Sequence, residues 1–465
     1  MNLELNNPAL LDPEIVGNHT PDPLRFAFAK KKGPHAGGMA KPVPTELTQS
    51  ALTSAFSEQG DKGPRCLYIH IPFCRVRCTY CNFFQYASST KLIDEYFEAL
   101  KKELLWKAAM PWTQAFLFQA VYIGGGTPTD LSANQIKQLG EMIRSHFPLT
   151  PDCEITLEGR INRFDDQKFE SALEGGINRF SFGVQSFDTK VRRSAKRLND
   201  GEEVLERLQH FVSYDSAPIV IDLLYGLPHQ TLDTWALDLE LYLESGAHGV
   251  DLYQLIEMQN LPMGRLVEQG KLPEPANTQV KASMYQMGVE FMAKHHQRRL
   301  SVNHWSSDNR ERSIYNSLAK TSAQVMPLGA GAGGNVNGIS SMQYRDMEKY
   351  IEAGKADEFA AGMAFYSAPN ASLVNTIKAA FDRGVLGERV LPQGMFMALT
   401  PLFEAWQKNG LVNLSCGYLS LTLAGQFWSV TLAQNLIQVV SSNQKPNDLL
   451  KSHNNNIDKK SIKAA

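Results

Sequence analysis

From about residue 66 the chain alternates short apolar, β-type runs with amphipathic stretches of helical period, and this alternation limits its folds most severely. The runs are Leu67–Ile71, Ala120–Ile123, Glu154–Leu157, Asn178–Gly183, Ile219–Leu224 and Val250–Leu255. Between them lie Leu92–Lys107, Asn134–Ser145, Asp165–Leu173, Gly201–Val212 and Leu232–Glu244. Strand followed by helix, repeated, predicts parallel strands joined by right-handed crossovers. The repeat points to an α/β fold with a partial or complete barrel, whose chemistry sits where strands end and loops begin.

Outside this core the pattern changes. Residues 1–60 lack periodicity and carry Pro-rich and basic pieces, including Lys30–Lys32, and read as an irregular leader. After Gly270, Thr278–His295 reads as a helix and Arg299–Val302 as a short strand. Gly329–Gly338 is glycine-rich, as a flexible loop would be. A helical segment from about 360, a hairpin-like Leu411–Leu423 and a helix Ala424–Val439 suggest a small C-terminal helical, winged-helix-like domain. The predicted division is a leader over 1–60, a barrel core over 61–345, a C-terminal domain over 346–440 and a disordered tail over 441–465.

Charge excludes some roles. A net charge of −2 gives no electrostatic reason to expect nucleic acid or a membrane surface. No run approaches the ~20 apolar residues of a membrane span. Met1–His19 lacks the basic start and apolar core of a secretory signal, so a cytoplasmic location is expected.

Six cysteines, four of them within sixteen residues, do not look like a disulfide framework in a chain of 465. Cys74, Cys78 and Cys81 fall directly after the first strand, in one strand-end loop. Three thiolates there suit a 4Fe–4S cube, with one iron left open for a small molecule. Zinc is the alternative, but it needs a fourth ligand such as His70, and the spacing differs from paired zinc knuckles. Cys66, Cys153 and Cys416 read as small hydrophobes. Gly124–Pro128 is a glycine turn after the second strand, with no P-loop Gly-Lys-Ser/Thr behind it. Glu158 ends the third strand, and Gln185, Arg197 and Asp222 lie on or near the next two.

The Cys-x3-Cys-x2-Cys spacing, with an aromatic residue before the last cysteine, resembles the signature of the radical S-adenosylmethionine superfamily. The flanking Tyr68–Cys74 resembles the subgroup of oxygen-independent coproporphyrinogen III dehydrogenase. Within it, Asn178–Ser186, Ile221–Gln230, Gly249–Met263 and Arg298–Lys320 are most similar to anaerobic heme-degrading methyltransferases of the anaerobilin synthase type. The resemblance runs from about 66 to 340. It implies a partial (β/α)6 TIM-like barrel, a 4Fe–4S cluster on Cys74, Cys78 and Cys81, and two S-adenosylmethionine molecules.

By that resemblance Gly125 and Glu158 hold the first molecule, with Tyr68 and Tyr80 around it. Gly126, Thr127, Gln185, Arg197 and Asp222 hold the second, Arg197 pairing its carboxylate. It also implies a heme or porphyrin substrate, a flavodoxin-type electron donor, and methylation with opening of heme, iron being released. Oxidative decarboxylation of coproporphyrinogen III and heme trafficking without catalysis are the alternatives. His304 is a candidate heme-iron ligand, with His295 and His296 nearby. The heme-chaperone relatives carry a histidine motif where this chain reads Ile314–Lys320, which has none.

Overall fold

The computed structural model describes residues 12–31, 33, 40–83, 86–256, 261–321 and 323–442. The expected tail beyond 442, Lys32, residues 34–39, the first eleven residues and 257–260 lie outside them. The described chain forms two compact units, residues 39–368 and residues 1–38 with 369–465.

The larger unit is built on one sheet. Strands β1 (Arg65–Ile71), β2 (Phe118–Gly125), β3 (Leu149–Gly159), β4 (Arg179–Gln185), β5 (Ile219–Tyr225) and β6 (Gly249–Gln254) pair in parallel in chain order. At the β6 edge, β7 (His304–Ser306) adds antiparallel. At the other edge β8 (Gln324–Leu328) pairs parallel with β1. It is followed by an antiparallel meander of β9 (Gly333–Val336), β10 (Ile339–Gln343) and β11 (Ala361–Tyr366). The sheet does not close, since its two ends, Arg298–Arg299 beyond β7 and Lys41–Pro42 beyond β11, are not paired with each other. It is a partial barrel.

The strands are covered on both faces, which is why they read as apolar runs rather than alternating ones. All but one residue of β1 are buried. The outer helices begin on side-chain caps. Ser89 caps α1 (Thr90–Ala108), Ser132 caps α2 (Ala133–His146), Asp165 caps α3 (Asp166–Glu174) and Thr231 caps α5 (Leu232–Glu244). These short polar residues satisfy helix N–H groups that have no partner within the helix. Helix α4 (Gly201–Ser213) starts after Asp200 without a side-chain cap, and α2 buries Ile136, Leu139 and Ile143. Phe164, Phe169, Phe180, Phe182 and Phe211 fuse α3, α4 and the sheet into one aromatic layer. Each such side chain contributes about 1.5–3 kcal/mol on burial.

The Gly329–Gly338 stretch is not a flexible loop. Gly333–Val336 is strand β9, and the turn before it is pinned by a buried cluster on α1. Glu103 accepts from Gly329 N at 2.8 Å and Tyr350 Oη at 2.6 Å, while Lys107 donates to Glu103, Pro327 O and Gln343. The expected strand at Arg299–Val302 is instead a short Arg298–Arg299 piece followed by β7.

The leader is not wholly irregular. Thr48–Ser57 is a helix of the barrel unit, and Pro13–Val16 and Pro23–Phe26 are short helices. The latter two belong to the smaller unit. There Trp406 donates to Ile15 O at 2.9 Å, and Asn409 donates to Val16 O and Gly17 O. Asn435 donates to Glu14 O and Ile15 O at 2.9 Å. Lys31 of the basic run lies over the Phe427 ring. The smaller unit also carries helices Ala371–Arg383 and Met395–Lys408, a hairpin of Val412–Ser415 with Tyr418–Leu421, and a third strand Val385–Gly387. This is the expected winged-helix arrangement. The expected last helix is two, Leu423–Phe427 and Ser429–Ser442.

Candidate active site

The loop after β1 carries the cysteines. Phe73–Cys74 pairs with Tyr86–Ala87, and Thr79 is tied to the β4 side by its hydroxyl on Ser194 O at 3.0 Å. Cys74 and Cys78 are buried, Cys81 is partly so, and all three are free thiols. Burial raises the Cys74 and Cys81 thiols above their ordinary value, with the neighbouring cysteines adding to the effect. Burial pushes Cys78 the same way, yet the Arg197 and Arg160 guanidiniums overcome it and lower that thiol. Arg160 Nη2 lies 3.3 Å from Cys78 Sγ and 3.7 Å from Cys74 Sγ. Thr127 Oγ1 lies 3.2 Å from Cys74 Sγ.

Among the described residues no three His, Cys, Asp or Glu side chains converge on a single metal-ion position. A 4Fe–4S cube does not need such convergence, since each thiolate binds its own iron. Three thiols facing two guanidiniums therefore fit a cluster, whose added negative charge the guanidiniums would offset.

The glycine turn after β2 lies against this loop. Gly125 has φ +115°, and a Cβ there would sit 2.8 Å from the His70 ring. A Cβ on Gly126 would strike Phe73 O at 2.5 Å. Only glycine lets the β2 turn approach the cysteine loop this closely.

The carboxylates line the barrel interior. Glu158 sits at the end of β3 and is pushed up to about 7 by burial, with hydrogen bonds from Gly125 N–H and Tyr122 opposing. Asp222 on β5 is held well above the carboxylate range by burial and by Asp251 and Glu158. Tyr68 Oη is 2.9 Å from His70 Nδ1. Tyr68, Tyr122 and Tyr315 stack, with Tyr122 and Tyr315 4.8 Å apart.

Gln185 stands at a β-bulge with φ +74°. Such backbone persists only where its surroundings over-determine it. Here buried Asp238 accepts from Ser186 Oγ and Phe187 N, and Arg192 donates to Val184 O and Ser186 O at 2.8 Å. A Cβ on Gly183 would meet Gln185 Nε2 at 2.7 Å and Arg197 Nη2 at 3.2 Å, so these two polar heads share one spot. Arg197 donates to Tyr80 Oη at 3.1 Å, and its buried Nε has no partner. An unpaired guanidinium N–H beside an amide is suited to an incoming carboxylate.

The structure thus gathers Tyr80 and Arg197 against Cys78, and Gly126 and Thr127 against the loop that bears Cys74. Gly125, Glu158, Tyr68 and Asp222 line the neighbouring interior. His304 stands on β7 with its ring buried, Nδ1 2.7 Å from Asp251 and Nε2 3.2 Å from Glu311 without a hydrogen bond. His295 and His296 directly follow helix α6 (Thr278–Lys294).

Sequence reasoning missed Arg160, Tyr122, Tyr315 and Asp251. Arg160 was discoverable, standing two residues beyond Glu158 at the same strand end. The others had no signal, because their partners are distant in the chain.

Comparison with known proteins follows the same lines. Residues 68–241 match the family model of the radical SAM superfamily. Anaerobilin synthase of Escherichia coli O157:H7 is 35% identical over 86% of this chain and 90% of its own length. The heme chaperone HemW of Bacillus subtilis is 30% identical over 61% of this chain and 74% of its own. The oxygen-independent coproporphyrinogen III oxidase of Helicobacter pylori is 29% identical over 66% and 69%. Among solved structures, the coproporphyrinogen III oxidase of Escherichia coli superposes with a TM-score of 0.72, at 21% identity, over 86% of this chain and 96% of that one.

Proposed function

Because this chain belongs to the radical S-adenosylmethionine superfamily, we propose that it is an anaerobic C-methyltransferase that methylates heme and opens the macrocycle. Iron and a linear tetrapyrrole are its products. The observation that carries this reading is the likeness to anaerobilin synthase, which extends through nearly the whole of that protein, both units included.

Cys74, Cys78 and Cys81 would hold the 4Fe–4S cluster. When bound and reduced, the cluster supplies the electron that splits the sulfur–C5′ bond of one S-adenosylmethionine, giving methionine and a 5′-deoxyadenosyl radical.

The chain's own residues bind, orient and exclude water. Gly125 presents backbone to the first S-adenosylmethionine, and Glu158 accepts from its hydroxyl or ammonium groups. Tyr68 and Tyr80 wall that space. Arg197, Gln185 and Asp222, with Gly126 and Thr127, hold the second molecule, which contributes the methyl carbon. Arg197 offers its open N–H groups to the carboxylate, in the fork geometry that fixes orientation as well as charge. Arg160 and Arg197 offset negative charge on the cysteine loop. The barrel core and the winged-helix unit serve as separate domains in this reading. It also includes a flavodoxin-type reductant, whose low potential the chemistry needs, and a cytoplasmic location. No helix of the described residues is long and apolar enough to cross a membrane.

The test is anaerobic reconstitution, followed by heme or coproporphyrinogen III with S-adenosylmethionine and a reductant, read by mass spectrometry of the tetrapyrrole. A methylated open chain is expected. Loss of carboxyl groups from coproporphyrinogen III, or unchanged heme bound to the protein, would replace this reading with decarboxylation or heme trafficking.

A further inference from the structure

Strand β3 ends on Glu158 and Gly159, and the next residue, Arg160, turns its guanidinium onto the cysteine loop. Its Nη2 lies 3.3 Å from Cys78 Sγ and 3.7 Å from Cys74 Sγ. That nitrogen carries two hydrogens, one for each sulfur. Among the described residues the guanidinium has no other hydrogen bond and no carboxylate partner. The arginines within the loop itself turn elsewhere. Arg75 lies 3.5 Å from Asp130, and Arg77 donates to Cys81 O at 3.1 Å.

The scaffold fixes Arg160 in place. Its N–H donates to Thr129 Oγ1 at 3.1 Å, and the same hydroxyl lies 3.2 Å from its carbonyl oxygen. Gly159 permits this approach, since a Cβ there would run into Thr129. Thr129 belongs to the turn after β2, where Thr127 places its own hydroxyl 3.2 Å from Cys74 Sγ. Two strand ends therefore aim hydrogen-bonding groups at the sulfurs of Cys74 and Cys78.

We propose that Arg160 raises the reduction potential of the cluster on Cys74, Cys78 and Cys81 by hydrogen bonding to two of the thiolate sulfurs. This rests on the cluster reading above and holds whichever tetrapyrrole is the substrate. Reduction moves one electron from the low-potential reductant to the cluster, with no bond made or broken and no proton moved. The cluster gains one negative charge. A fixed guanidinium stabilises the more negative state more strongly, and N–H donation to the sulfurs acts in the same direction. Cys74 and Cys78 are buried, so water screens the effect little. Arg197, bonded to Tyr80 of the same loop, receives a carboxylate in the reading above, which offsets its charge. Arg160 has no such partner and keeps its charge for the sulfurs.

The experiment uses the full chain, reconstituted without air and free of S-adenosylmethionine. Electron paramagnetic resonance during redox titration reads the midpoint potential of wild type, Arg160→Met and Arg160→Gln. Met removes charge and donor, whereas Gln removes the charge alone. With iron and sulfide content unchanged, Arg160→Met should show about a tenfold lower ratio of reduced to oxidised cluster at a given potential, a fall of about 59 mV for one electron. Arg160→Gln should fall less. Titanium(III) citrate, a stronger reductant, should restore 5′-deoxyadenosine formation to Arg160→Met, which a loss of folding would not allow. An unchanged or higher midpoint in Arg160→Met overturns the proposal. Weaker S-adenosylmethionine binding at an unchanged midpoint also overturns it and makes Arg160 a cofactor ligand instead. If Arg160→Met takes up no cluster, Arg160→Gln decides by the same criterion. If neither does, pulsed resonance of Arg197→Met protein labelled with 15N-arginine decides. Nitrogen coupling to the reduced cluster supports the hydrogen bonds, and its absence overturns them. A wild type that takes up no iron and sulfide overturns the cluster reading, and this proposal with it.

Discussion

Two buried arginines, Arg179 and Arg197, stand at the two ends of the same barrel interior and are treated in opposite ways. Arg179 is saturated. Its Nε and Nη2 grip Glu311 and its Nη1 reaches Thr156, and neither residue of the ion pair is more than a few per cent exposed. Arg197 has one protein hydrogen bond, to Tyr80, and a buried Nε left without a partner. Burying a guanidinium is costly unless its N–H groups are matched. The first arginine therefore belongs to the architecture, and the second waits for a ligand. Completeness of pairing, more than burial or charge, separates the two.

The comparison yields predictions of decreasing size. The largest lies beside Arg197. Cys78→Ser should abolish cluster incorporation and 5′-deoxyadenosine formation, measured by iron and sulfide content and by chromatography. Retained cluster absorbance would remove the reason for the nearby guanidiniums.

Next come the arginines themselves. Arg179→Met should destabilise the barrel by about 3–5 kcal/mol, because buried Glu311 would lose its bidentate partner and keep only His304 beside it. Arg197→Met should leave the denaturation midpoint nearly in place while lowering methyl transfer by about 100-fold, equivalent to one charge-assisted pair of about 2.7 kcal/mol. Equal effects on stability from both would erase the distinction drawn here.

A smaller effect is expected from Glu158. Its carboxyl is protonated below about 7 and ionised above it. A cationic cofactor prefers the ionised form, so S-adenosylmethionine affinity should fall by up to tenfold per pH unit below about 7. Calorimetric titration between pH 5.5 and 8 would show this slope, and Glu158→Gln should flatten it. The smallest effect is at an exposed pair, Lys137 with Glu174. Lys137→Ala should leave both the melting temperature and turnover unchanged within error, since screened surface pairs contribute little.

Legibility followed sequence separation. The β/α alternation could be read because periodicity is local, and all six runs became strands in one parallel series. The helix caps at Ser132 and Asp165 were equally local. β8 was missed as the seventh parallel strand because its partner, β1, lies some 260 residues earlier. The leader was misread for a similar reason. Pro13–Val16 and Pro23–Phe26 are too short to show a period, and they are ordered by Trp406, Asn409, Trp428 and Asn435 from the other end of the chain. The pairing of His304 with Asp251 was not visible, since 53 residues separate them.

By itself the sequence determined the strand–helix series and the thiol loop at the first strand end, because strand periodicity, crossover handedness and thiolate spacing are properties of contiguous residues. Only the tertiary structure decided which charged groups are satisfied and which remain open. That depends on desolvation and on hydrogen bonds between strands far apart in the chain, and it is what seals Arg179 on Glu311 while leaving Arg197 free to receive a carboxylate.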